Sequence, residues 1–495
     1  MVTENMEYMA NSEQFYDIIG SGSKKAEYSE FNPSLTVNLF QVNDSTAFFK
    51  KALFPTPGLS IDDGIIFNIG GENNIGRRLH LFKNKVYAVI KDQVYLITGS
   101  VVNGEIKLTH AVIGNINTQV GYVGIAHNNT QIMLVDGVDG WIFDVTTSSF
   151  SKIVDPNFPT KPSDVVTLAN RFITNQGESN ISYYSAQGDG TTWFDPGTFG
   201  NFFPMGSEPD IVVGYATLNG KLLVFGQDST ESWFPTQGTQ AFKQQLPSIE
   251  AGCVAPGTIA KAFGVLVWLS KTTNGTGSIL ATTGGEPKPI SDNTLERVID
   301  SYANIEDARA YIYKNEIGHI MYVINFTTAN ASWMYDFDAN AWYKLESGEK
   351  NRHLANDYVY YLSRHYVLDY KEPKLYELST RYYDDAGIAI RRSRIFQLDK
   401  FVIELEHYNK TPFVLLGAEA NITQAAFYKI VLNKIRFYLK QGTGTAIGND
   451  IEPILFLRVS KDGGISYGNQ LQQRIGSIGN RIYDTIFTKI GGLSP

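Results

Sequence analysis

The 495 residues carry a net charge of −8, a hydrophobic fraction of 43%, 28 Tyr, 29 Phe and 45 Gly. A chain of this length holds about two or three domains, and its aromatic, glycine-rich make-up predicts a soluble, mostly β protein. Dispersed Lys and Arg argue against a basic patch that grips nucleic-acid phosphates, and the lone Cys253 excludes an intramolecular disulfide and a cysteine-based zinc site. The N-terminus has neither the basic start nor the apolar core of a secretory signal, and no apolar run approaches the roughly 20 residues of a membrane span.

In chain order, residues 1 to 60 read as irregular apart from a strand at 36–40, because Pro55 and Pro57 bracket Thr56 and stop any regular element. Seven strand-and-turn units follow, at 79–98, 124–153, 165–184, 211–234, 258–282, 308–345 and 353–378, with Asn219-Gly220 a strong hairpin turn in the fourth. Taking Tyr95, Ile142, Tyr183, Trp233, Leu280, Tyr335 and Tyr376 as the outer strand of each unit gives a spacing of roughly 40 to 55 residues, the period of four-stranded propeller blades. One turn occurs twice: Asp144 and Asp336 each follow an aromatic and precede another aromatic, Phe150 or Trp342, then Lys152 or Lys344. An Asp that bonds its own backbone closes such hairpins. One short helix, capped by Asp292 over 294–299, falls between units five and six. After Tyr382 the repeat stops, and strands at 388–406, 427–440 and 453–459, with a Gly/Thr/Asn loop at 441–450, predict a separate β domain. The expected fold is therefore all-β: an N-terminal segment (1–60) partly joined to the propeller, a seven-bladed propeller (61–380) and a C-terminal, sandwich-like β domain (381–495).

No catalytic, cofactor or metal residues emerge from this pattern. His80, His110, His127, His319, His353, His365 and His407 are isolated, without an H-E-x-x-H pair, and neither a nucleophile elbow nor a phosphate-cradling loop is present. The run from Asp336 to Asn340 opens like a calcium loop but lacks its Gly, Ala341 standing there, and its final Glu, replaced by Ser347; a plain turn is the better reading. Adjacent carboxylates at Asp62-Asp63 and Asp384-Asp385 point opposite ways on an extended chain and make poor acid–base pairs. The stretch Ser460 to Tyr467 resembles the structural Asp-box hairpin of sialidases, with Asp462 at its turn, but occurs once and outside the repeats. Asp144, Asp336 and Asp462 are thus candidate structural turn positions.

Several segments taken in order resemble one family. They are Val37 to Phe40 with Leu53 to Leu59; Gly226 to Phe234; Glu250 to Pro256 with Val267 to Leu269; Leu295 to Ile299; Gly318 to Tyr322 with Ser332 to Asp336 and Trp342; and Leu457 to Gly464 with Gly468-Asn469. Together they are similar to the packaged-DNA stabilisation proteins, also called tail hub or tail accessory proteins, of short-tailed bacteriophages. Lys461 stands where a second Asp is common, and the tail from Asn480 lacks an arginine-rich ending with Trp. The resemblance implies a non-enzymatic virion protein, made in the host bacterial cytoplasm and placed in the tail. It implies a homo-oligomeric ring, a hexamer, that meets the portal adaptor, a needle or plug, and tailspikes or fibres. Double-stranded DNA would pass through its channel unheld, without membrane insertion and without a cofactor. An acidic lumen would let that DNA slide. The competing expectations are a carbohydrate- or receptor-binding propeller and a sialidase-like glycosidase.

Overall fold

The computed structural model describes residues 14–20, 23, 34–70, 75–194, 200–206, 210–237, 240–271, 277–425, 429–444, 450–480 and 484–493. The N-terminal stretch before Gln14 and the middle of the 441–450 loop lie outside these residues. The chain forms two compact units, one of Leu59–Met334 and Asn351–Ser379, the other of Met1–Gly58, Tyr335–Lys350 and Thr380–Pro495. No helix is long and apolar enough to cross a membrane.

The first unit is a seven-bladed β-propeller. Its innermost strands are Gly76–Phe82, Gly124–His127, Val165–Leu168, Val212–Leu218, Ala260–Ala262, Arg309–Lys314 and Ala355–Tyr361. Each is followed outward by antiparallel neighbours in sequence order. The inner strands pack side by side around an axis, the last against the first, with the 3-10 turn Pro256–Thr258 at the step from the fourth blade to the fifth.

Second strands carry unbroken apolar runs rather than an alternation, because both faces of a blade are covered. In Lys85–Ile90, Val86, Ala88 and Ile90 pack on Val359, Tyr366 and Leu368 of blade seven. Tyr87 and Val89 of the same strand pack on Ile125, Leu134 and Phe143 of blade two. The same division recurs around the ring. Burying a strand on both sides makes hydrophobicity continuous along it, as in sheets covered on both faces.

Tyr95, Ile142, Tyr183, Trp233, Leu280, Tyr335 and Tyr376, expected on outer strands, all fall on third strands. Fourth strands lie beyond those of the first five blades, at Glu105–Asn115, Ser149–Lys152, Phe202–Pro204, Phe242–Ile249 and Lys288–Pro289. The seventh blade takes its fourth strand from Gly58–Ile66, beside Lys374–Ser379. The stretch 35–66, expected to be irregular up to residue 60 apart from 36–40, is therefore largely strand, and the propeller closes by joining its two chain ends in one sheet. There Asp63 pairs with Arg364 at 2.5 Å, and Phe67 N–H donates to Pro373 O at 2.9 Å. The helix Asn293–Asp300 starts where Asp292 Oδ1 accepts from Leu295 N–H at 2.9 Å.

The second unit is a β-sandwich. One sheet includes Leu35–Val37, Arg392–Leu398, Phe401–His407, Ile454–Ser460 and Leu471–Arg474; the facing one is Leu39–Asn43, Lys51–Pro55, Leu415–Ala425, Lys429–Leu439 and Thr485–Leu493, with Gln14–Tyr16 also paired to Leu415–Ala425. Leu39, Leu53, Phe396, Ile403, Leu415, Ile435, Leu457 and Phe487 fill its core. The stretch 388–406 is a hairpin rather than one strand, turning at Asp399 with φ of +55°.

Candidate functional site

The turn aspartates each serve their own hairpin. Asp144 Oδ1 accepts from the N–H groups of Thr146 and Thr147 at 2.8 and 3.2 Å, and Asp336 Oδ1 from those of Asp338 and Ala339 at 2.9 and 3.3 Å. In both, the residue four positions on, Ser148 or Asn340, takes a left-handed φ of +54° or +51°, so the two turns share one backbone shape. Asp462 accepts from Ser466 N–H at 2.9 Å and from Ser460 Oγ at 2.6 Å, and hydrogen bonds from Ser460 and Ser466 hold its carboxyl well below the usual range. The carboxylate pairs divide as well. Asp384 faces Lys410 at 3.3 Å, while buried Asp385 accepts from Ser347 Oγ at 2.7 Å and is pushed up to about 7 by burial.

Chemistry gathers instead on the propeller axis, from residues that the sequence scatters over seven blades. At the end where the inner strands begin, Tyr122 precedes the second inner strand, Asp164 the third and Gly257 the fifth. Arg309 opens the sixth, and Arg78 and Asp357 lie two residues into the first and seventh. The Arg78 and Arg309 guanidiniums sit 5.3 and 4.6 Å from the Tyr122 ring centroid. Blades two and six are far apart around the ring, so side chains that meet from both can do so only at the axis.

The carboxylates there accept hydrogen bonds from neighbouring groups. Asp164 accepts from Tyr122 OH at 3.1 Å and Tyr215 N–H at 2.9 Å; Asp357 accepts from Leu79 N–H and Tyr358 N–H, both at 2.8 Å. Burial pushes Asp164 up to about 6, and burial lowers Arg309 to about 10. Further along the first inner strand, His80 Nε2 and His127 Nδ1 lie 2.7 Å apart. Burial, with the neighbouring His127 and Arg78, lowers His80 to about 3, so this pair is neutral near pH 7. The two histidines, isolated in sequence, come from adjacent blades. Only the recurrence of polar residues at the start of inner strands could have signalled the axial group.

This fold and its polar axis define a closed seven-bladed propeller carried with a β-sandwich. A family model described as bacteriophage P22 Gp10, beta-propeller, matches residues 18–383, and the chain belongs to that family of phage structural proteins. No curated protein matches the chain. Among solved structures it is similar to the N-terminal domain of Nup159 (10% identity, 70% of this chain and 99% of that one, TM-score 0.39). It is also similar to the computationally designed Ika8 protein (9% identity, 63% and 98%, TM-score 0.37) and to a chain of the mitotic checkpoint complex (8% identity, 65% and 95%, TM-score 0.40). At these TM-scores the three carry no argument about this chain.

Proposed function

We propose that this phage structural protein is the tail hub of a short-tailed phage. In this reading copies of the chain close into a homo-oligomeric ring, a hexamer, beneath the portal adaptor. The ring extends the DNA channel, helps retain the packaged genome and anchors the needle or plug and the tailspikes or fibres. The family match over residues 18–383 carries the reading. The construction supports it. A propeller whose last blade joins both chain ends resists opening from an edge, and its loops remain free to differ from face to face. A ring also needs surface for neighbours to cover. In the sandwich unit Phe15, Phe49 and Tyr438 cluster beside Phe48, which is 93% exposed.

The test is a conditional knockout in the parent phage. Heads made without the protein are expected to fill with DNA and then lose it, with neither needle nor spikes attached, as seen by electron microscopy and nuclease protection. Heads that keep their genome and lack only attachment to cells would favour the receptor-binding propeller instead.

A further inference from the structure

Neither axial arginine makes a side-chain hydrogen bond among the described residues. Arg78 lies 3.6 Å from Asp357 Oδ2, an ion pair too long for a hydrogen bond, and its Nε is buried with no partner. The Arg309 side chain makes neither a hydrogen bond nor an ion pair among the described residues; its neighbour is the Tyr122 ring. Gly257 leaves room for it, since a Cβ there would come 2.5 Å from Arg309 Nη1. An enclosed N–H donor such as Arg78 Nε is almost always satisfied, and two guanidiniums facing one ring repel each other where the dielectric is low. Asp164 and Asp357 each already accept hydrogen bonds from backbone N–H groups, Asp164 also from the Tyr122 hydroxyl, and neither makes one to an arginine. A quarter of the Arg78 side chain is nevertheless reached by solvent, so the site is open along the axis.

The geometry points to a small-oxyanion site on the propeller axis, in which the guanidinium forks of Arg78 and Arg309 bind a phosphate-sized anion. Planar forks match oxyanions in a bidentate way, which a lone ammonium cannot do. The inner strands surround the site, so its occupant is a free ion rather than a nucleic-acid backbone. This inference does not depend on the tail-hub reading, because it concerns the inside of one propeller.

Inorganic phosphate is the probe, titrated into the full chain at constant ionic strength with chloride as the control. Calorimetry is expected to give saturable binding to one site per chain, with a rise in Tm that chloride does not produce. Arg309→Gln and Arg78→Lys are each expected to weaken binding on the order of tenfold or more, the loss of one charge-assisted interaction. Arg474→Gln, an exposed position in the sandwich unit, is expected to leave it unchanged. Should Arg309→Gln fail to fold, Arg78→Lys decides, since it keeps the charge and loses the fork. The inference is overturned if phosphate acts no differently from chloride, if both axial variants bind as the parent does, or if a high-resolution structure in phosphate shows only water between the arginines.

Discussion

Asn38 shows how much one polar side chain can tie together in the sandwich unit. At φ of +53° it donates to Glu346 O and Arg391 O at 2.9 and 2.8 Å and accepts from Glu346 N–H at 2.9 Å, bridging segments some three hundred positions apart. Beside it, Arg391 pairs with Glu346, Glu404 and Glu406 at 3.0, 3.1 and 2.8 Å, all of them buried. Removing the shared cation leaves Glu346 with Lys344, and Glu404 and Glu406 with Arg458, as their remaining cations, and these two are themselves partly exposed. Arg391→Ala is therefore expected to cost about 3–5 kcal/mol, read as a lower urea midpoint. Asp385 allows a pH test. Its folded value, about 7, lies above that of an unfolded Asp, near 3.8, so the folded state binds more protons between the two. Its contribution is fully present below the lower value and is lost as pH rises through the upper one. Asp385→Asn is expected to remove that part of the fall in stability between pH 4.5 and 7.5, compared by chemical denaturation; parallel pH profiles for the two proteins would refute it.

At the scale of elements, the strand Gly58–Ile66 decides whether the ring closes. A Cβ on Gly64 would lie 2.0 Å from Leu375 O, a backbone atom that cannot swing aside. Gly64→Ala is expected to lower Tm, with early proteolysis near residue 60, whereas Gly104→Ala, in a turn with no atom near but a φ of +84°, should open no such cleavage site. Trp268 makes the complementary case in a core. It is fully buried, packs 5.1 Å from Phe225, and donates from Nε1 to Gly252 O at 3.0 Å. Trp268→Ala is expected to cost about 3–5 kcal/mol in the same assay. The third strands were legible in the sequence because aromatics anchor them. Among fourth strands Ser149–Lys152 was legible through the Asp144 turn, but Glu105–Asn115 and Phe242–Ile249 were not, being largely exposed. The closing strand was hidden for another reason: its partner, Lys374–Ser379, lies at the far end of the repeats.

For the molecule as a whole, the hub reading predicts that the purified chain, or its complex with the portal adaptor, forms rings visible by electron microscopy. A strictly monomeric protein that binds glycans would count against it. What the sequence determined by itself was the repeat and its class: strand lengths, turn chemistry such as the pair Asp144 and Asp336, and apolar runs are local properties that residues a few positions apart can specify. Tertiary structure alone decided three things: that the N-terminal strands complete the sandwich and the seventh blade, that His80 meets His127, and that Arg78 and Arg309 face one tyrosine. A ring brings its axis together from every blade at once, and no local pattern records which side chains will point inward when it closes.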